Sequence, residues 1–537
     1  MIRRRDFLKT AASLAAGGSL YSLCSASVPA SARRARRLTI RHYVPREGAM
    51  VPAGEESLGR VYFTDVDYNP LMAPARFGGT KGELVADEPR QKYKITCADW
   101  VDGFGYTYLI ADNGGGGYEP GELPAEILLN RELAESRLES VETARNAARR
   151  SGVVFASEVG ERLEKSRNAF AAAAGSNTPE EAARKFWLSL NESLWAGEMV
   201  SVENARHAIA RRGARPEFRF GANAFGSLTH GESYTRHFYD IFDYCTLPFY
   251  YKGFEPEYKK PTWERLDRMV EWCRVGGILP KGHPLLWMHE AGVPRWLEDK
   301  SFDNVRNLHK HRIKRIVNRY RGAIDYWDVI NEAHDFANVL NYTYDQLFDL
   351  TAMCCETARA ANPDCVSIVN STALWGEYAA PKPGKPLPAV PKRTAYQYVA
   401  DCVSQELDFD VIGLQIYFPN RDIFEIDRML ERFGRFGKEV HITEHSVSSD
   451  TSDDEKSHVK KVWGHWHAPF SPAIQADFLE QLWTVAYSKQ FIQAITYWDF
   501  SDKGGHFWPH GGFLDAEGEP KEVYFRLKKL VDSWKAA

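Results

Sequence analysis

Residues 325–332 read DYWDVINE, and the reading of this stretch decides the fold. It is a short run rich in β-branched and aromatic residues that closes on a carboxylate just as a helix-forming pattern begins. Such a run suits a strand buried in a parallel sheet. Seven others share its character: 218–224 (FRFGANA), 244–250 (YCTLPFY), 278–287 (ILPKGHPLLW), 365–370 (CVSIVN), 410–417 (DVIGLQIY), 439–444 (EVHITE) and 493–500 (QAITYWDF). All but FRFGANA end in a polar or aromatic residue, and amphipathic helical stretches separate the runs. Eight repeats of this kind predict an α/β protein whose main domain, 217–534, is a (β/α)8 TIM barrel, with chemistry placed at the strand C-termini.

Upstream of the barrel the pattern differs. Residues 38–121 alternate short apolar–polar strands such as LTIRHYV (38–44) and YTYLI (106–110) with Gly/Pro turns, which predicts a small all-β, sandwich-like module. Residues 122–212 follow as a helical connector. Within it, Thr178-Pro179-Glu180-Glu181 has the form of a helix start. Phe186, Leu190 and Leu194 then form one apolar face, expected to pack against the next domain. A carbohydrate-binding role for the β module rests on its position and fold class alone.

The N-terminus is an address. Arg3, Arg4 and Arg5 precede an uncharged stretch from Thr10 to Leu23, and Ala30-Ser31-Ala32 supplies a small-x-small cleavage site. Arg4-Arg5-x-Phe7-Leu8-Lys9 resembles a twin-arginine export signal, so residues 1–32 are expected to direct export across the inner membrane to the periplasm or exterior. The stretch is too short and too rich in Ala, Gly and Ser to stay as a membrane anchor.

The chain of 537 residues carries 68 basic and 72 acidic groups, a net charge of −4, which leaves no electrostatic footprint for nucleic acid. Seven cysteines (Cys97, Cys245, Cys273, Cys354, Cys355, Cys365 and Cys402) lie beyond the leader with no CxxC spacing. They read as buried thiols, with no zinc or iron–sulfur site. His465 and His467 have no third ligand at suitable spacing for a metal.

Glu332 ends the fourth run and Glu444 the seventh. Cleavage of a glycosidic bond needs two such groups, an acid to protonate the leaving oxygen and a carboxylate to attack the anomeric carbon or activate water. Strand ends four and seven face each other across the barrel mouth, a placement compatible with the roughly 5 Å separation of a retaining mechanism. A carboxylic acid holding its proton near neutrality needs its pKa raised by burial or by the second carboxylate.

WDVINEAHDF (327–336), ITEH (442–445), GHPLLW (282–287), VPRWL (293–297), His311 with Ile313, and the tail Leu514-Asp515, Pro520-Lys521 and Tyr524 resemble glycoside hydrolase family 10, the xylanase family. The resemblance covers about 218–530. It implies a cofactor-free retaining hydrolase of β-1,4-xylosidic bonds, with Glu332 as general acid/base and Glu444 as nucleophile. By the same resemblance Asn331 bonds the sugar 2-hydroxyl, His283 and Trp287 line the site, Gln415 orients the nucleophile, and Trp498 forms the floor under the glycone sugar. The implied partner is a polysaccharide or oligosaccharide. Asp328 is left as a structural residue, and nothing in the sequence sets an oligomeric state.

The pattern departs from the family at three places. After the second run, LPFYYKGFEP (247–256) replaces the family's Glu-Asn-Glu-Met-Lys, so aromatics stand where a polar pair grips sugar, with Lys252 close by. Tyr417 replaces a histidine, and its phenol can still donate to the nucleophile. His445 and Ser446 follow Glu444 where the family has Leu and Asp. The loop 448–472 is a candidate lid, and Trp508 a candidate sugar contact. Two alternatives stand beside the xylanase reading: the same mechanism on a different β-glycan, motivated by the aromatic loop, and a barrel that binds glycan without cleaving it.

Overall fold

The computed structural model describes residues 35–334, 336–417 and 420–536; the expected export signal lies outside them. The eight runs form one closed barrel: β1 (Arg219–Asn223), β2 (Tyr244–Pro248), β3 (Leu279–His283), β4 (Tyr326–Asn331), β5 (Val366–Ser371), β6 (Val411–Tyr417), β7 (Glu439–Ser446) and β8 (Ile492–Tyr497). Neighbours pair in parallel, and β1 closes on β8 with Arg219 opposite Ala494. β3 is shorter than its predicted run because Pro284 has no N–H to continue the ladder. The chain turns instead to β4, where Leu285 N–H donates to Asp328 O at 2.9 Å. Gly282 is required at this contact, since a Cβ there would lie 2.1 Å from the buried ring of Trp327.

The N-terminal strands form a four-stranded sheet (75–77, 83–87, 37–41 and 126–128 in that order), a three-stranded sheet (62–64, 94–101, 105–111) and a hairpin (43–46, 49–52). Three helices follow: α1 (Leu129–Arg150), α2 (Ser157–Ala173) and α3 (Pro179–Arg212). The expected boundary near 121 cuts through this unit. Glu126–Leu128 pairs with Arg37–Arg41, and Leu129, Leu133, Phe186, Leu190 and Leu194 share one core with Leu38, Ile40, Ile95 and Leu109. The α3 face thus packs on the preceding strands rather than on the next domain. A sheet with an apolar face must be covered, and the helices that follow it in the chain provide the cover. An apolar helical stripe records that a surface is buried, but not against what.

α3 begins as its sequence indicates, with Thr178 Oγ1 accepting from Glu181 N–H at 3.2 Å. At 34 residues it is about 50 Å long, enough to serve both parts of the molecule. Its first half packs in the N-terminal core. Farther along, Val200 lies against Phe424, and Val202 and Ala205 enter the barrel core. Beside it, Arg137 of α1 reaches the start of α4 (Ile423–Gly434), where it pairs with Asp422 and with Glu425 at 3.0 Å. All three side chains are buried. The seven described thiols are buried and free, and no described helix is long and apolar enough to cross a membrane.

Removing one member of such a buried ion cluster strands the others, which costs about 3–5 kcal/mol. Arg137→Ala is therefore expected to lower stability by about that amount, read from denaturant unfolding. Because Val202 and Ala205 enter the barrel core and Arg137 is buried against the start of α4, the N-terminal part up to residue 212 and the barrel should unfold in one coincident transition by near- and far-UV circular dichroism.

Candidate active site

A cleft of about 1830 Å³ opens over the C-terminal ends of the barrel strands. Glu332 and Glu444 both line it, each less than a tenth exposed. Glu332 follows β4 directly in a left-handed backbone conformation, φ 55°. Such a conformation costs a side-chain-bearing residue about 1–2 kcal/mol. It is held by the Glu332 N–H, which donates to Asn370 O at 2.9 Å, and it turns the carboxyl toward Trp287, whose Nε1 donates to Oε2 at 2.8 Å. Glu444 lies inside β7. Tyr417 OH on the adjacent β6 donates to its Oε2 at 2.6 Å, and Asn370 Nδ2 to its Oε1 at 3.2 Å.

Asn370, at the end of β5, joins the two halves of the site. Its Nδ2 donates to Asn331 Oδ1 at 2.8 Å as well as to Glu444, while Thr443 Oγ1 donates to its Oδ1. The rule that each strand ends on its functional residue would have found Asn370, since CVSIVN closes on it. Gln415 differs from its expected place: its Nε2 donates to Asn331 Oδ1 at 3.1 Å and does not bond the Glu444 carboxylate. With two donors on Oδ1, the Asn331 Nδ2 is turned toward Glu332 and the cleft.

Burial pushes the Glu332 carboxyl up to about 7. It pushes Glu444 up to about 8, opposed by the Tyr417 hydrogen bond and reinforced by the charge of Glu332. Two like charges in one buried cleft cannot both form cheaply, so the pair shares a proton near neutrality. Tyr417 OH and Asn370 Nδ2, both donating to Glu444, favour its ionised form, while Trp287 Nε1, with Gln415 and Asn331, does the same for Glu332.

Below the pair, Asp328 points into the barrel. It forms an ion pair with Lys281 Nζ at 2.7 Å and bonds His283 Nδ1 at 2.7 Å, so its part is to orient His283, whose Nε2 stands 3.8 Å from Glu444 Oε1. Tyr250 packs against His283 and Trp287, and Trp498 against His283, making one half of the cleft aromatic. Lys252 is exposed in the wall there, its Nζ donating to Glu290 O at 2.9 Å. Glu255, farther along the same loop, is instead buried in an ion pair with Arg315.

Trp508 requires a correction. It lies behind Tyr417, stacked at 5.6 Å, and does not line the cleft. The indole packs against the phenol that reaches Glu444. His445 likewise turns away from the cleft, where its Nδ1 bonds Thr496 O and its Nε2 accepts from Trp483 Nε1, each at 2.8 Å. Burial pulls that imidazole down to about 3, so it is neutral. The 448–472 loop is fastened at both ends. His467 Nε2 bonds buried Glu198 of α3 at 2.6 Å, and His506 Nε2 bonds Asp454 at 2.7 Å. Between these clasps, Lys456 to Lys460 line the cleft.

The family model for glycosyl hydrolase family 10 matches residues 224–530. Endo-1,4-beta-xylanase B of Thermotoga neapolitana is 24% identical over 294 residues, covering 52% of this chain and 76% of the relative. Endo-1,4-beta-xylanase B of Paenibacillus barcinonensis is 23% identical over 337 residues, covering 58% and 94%. Among solved structures, native xylanase 10B from Thermotoga maritima aligns at 20% identity with a TM-score of 0.47, covering 59% of this chain and 95% of that one. With more than half of its length matched by the family model, this chain belongs to glycosyl hydrolase family 10.

Proposed function

We propose that the chain is an exported, retaining endo-β-1,4-xylanase in which Glu444 is the nucleophile and Glu332 the acid/base. The observation that carries the reading is the placement of both carboxyls, buried, in one cleft over the ends of β4 and β7, with Tyr417 OH and Asn370 Nδ2 donating to Glu444. Glu444 attacks the anomeric carbon while Glu332 protonates the leaving oxygen. Glu332, then ionised, draws a proton from the water that releases the glycosyl group. Asn331 offers its amide to the sugar beside the reacting carbon, and His283 and Trp498 enclose that sugar. Xylan as substrate is supported by the similarity to xylanases. Export is supported by the twin-arginine pattern at Arg4-Arg5, and no metal or cofactor takes part in the proposed steps.

The aromatic loop favours a second reading. Tyr250 stands over Trp287 and His283 where the family has a polar pair. A different β-glycan, cleaved by the same two carboxyls, would account for that replacement.

Reducing-sugar release from xylan by residues 33–537 is expected, with xylo-oligosaccharides as products; release only from another β-glycan would select the second reading. Glu444→Gln should abolish turnover on every substrate. Glu332→Gln should cost about 10²–10⁴-fold on xylan but far less on aryl glycosides with acidic phenols, which leave without protonation. Tyr417→Phe removes a charge-assisted bond of about 1.5–3 kcal/mol and should lower kcat/KM roughly 10- to 100-fold. It also raises the pKa of Glu444. Since the nucleophile must be ionised, the acidic limb of the kcat/KM profile should move to higher pH. For export, Arg4→Lys with Arg5→Lys should retain the full-length protein in the cytoplasm of a host with a twin-arginine pathway, read by fractionation.

A further inference from the structure

The barrel does not build the whole cleft. Tyr108 belongs to the N-terminal strand Gly105–Ala111, outside the stretch that matches the family, yet it lines the cleft with Phe336, Trp375, Glu377, Tyr378 and Asn420. These residues lie on the loops after β4, β5 and β6, away from the half enclosed by Tyr250, His283 and Trp498.

Tyr108 is held firmly there. Its N–H donates to Asn420 O at 3.0 Å. The Arg421 guanidinium lies 3.4 Å from the centre of the Tyr108 ring and 4.7 Å from that of Trp375, so one buried cation joins both aromatics. Two residues earlier, Tyr106 N–H donates to His465 O, and a Cβ on Gly105 would stand 2.4 Å from that same oxygen. The strand is therefore seated tightly on the loop that follows β7. Across the same half, Phe336 is 47% exposed, a large apolar ring left open to the cleft. Flat, amphipathic rings of this kind suit sugars, whose C–H faces lie on the ring while their hydroxyls reach its polar edge.

We propose that Tyr108 is a specificity-determining residue of the leaving-group side, where with Phe336 and Trp375 it binds the sugars beyond the cleaved bond. The inference rests on the proposed function, which puts the attacked sugar at Trp498 and leaves this half to the departing chain. The N-terminal module is then part of the substrate cleft, and it decides how much chain is gripped past the scissile bond.

The test compares kcat/KM on xylohexaose with that on an aryl β-xylobioside, whose leaving group is a phenol that does not extend along this half. In the full chain, Tyr108→Ala should lower the ratio of hexaose to aryl glycoside about tenfold and shift hexaose cleavage toward shorter leaving fragments. Phe336→Ala, at an exposed ring whose loss leaves the core intact, should lower the ratio in the same direction. Tyr108→Phe keeps the ring on Arg421 and should retain most of it. An unchanged ratio in both alanine variants overturns the inference, including the case in which Tyr108→Ala weakens both substrates equally. If the wild type cleaves neither xylo-substrate, the xylan reading has failed. The ratio is then measured on cellohexaose and an aryl β-cellobioside, where it decides the role of Tyr108 separately.

Discussion

Two carboxyl groups withdrawn from water at one barrel mouth form the constraint to which the rest of the site answers. Desolvation raises both, and each makes ionisation of the other harder, so a single proton between them is the stable state near neutrality. In the proposed double displacement that proton sits on Glu332 and the charge on Glu444. The side chains nearby supply donors to both. Tyr417 and Asn370 donate to Glu444, and Trp287, Gln415 and Asn331 serve Glu332. Deeper in the barrel, the Lys281–Asp328 pair orients His283 and neutralises itself. The left-handed turn at Glu332 is part of the same arrangement, for an extended residue there would aim its carboxyl elsewhere.

Departures from the family pattern are absorbed locally. A phenol replaces an imidazole at Tyr417 and still reaches Glu444, steadied from behind by Trp508. His445 follows Glu444 but faces the outer helical layer, satisfied by Thr496 and Trp483, and so leaves the cleft's charge untouched. The loop after β2 changes the character of the lining, by placing Tyr250 beside His283 and Trp287.

The N-terminal strands and helices are built into the barrel. Arg137 is buried among carboxylates at the start of α4, and Glu198 of α3 accepts from Ile423 N–H, Trp466 and His467. Those contacts anchor the segments that follow β6 and β7. A loop of some twenty-five residues would be costly to order alone. Here the adjoining module shares that cost and leaves its middle over the cleft.

Much of this was legible in the sequence. Eight apolar runs alternating with helical stretches are a local, periodic signal, and burial on both faces of a parallel strand leaves little freedom in how such runs are used. Placement at strand ends was equally local and singled out Glu332 and Glu444, while the family resemblance added Asn331, His283 and Tyr417, all of which line the cleft. Asn370 was accessible by the same rule. Tertiary structure alone decided the direction of Asp328, the partner of Gln415, the withdrawal of Trp508 behind Tyr417, and the union of the β module with its helices in one core. It also decided that Tyr108 reaches a cleft whose carboxyls lie more than two hundred residues further along. The physical reason is common to them all: periodicity records that a side chain is buried or at a strand end, whereas the neighbour it meets is set by how distant segments close on one another.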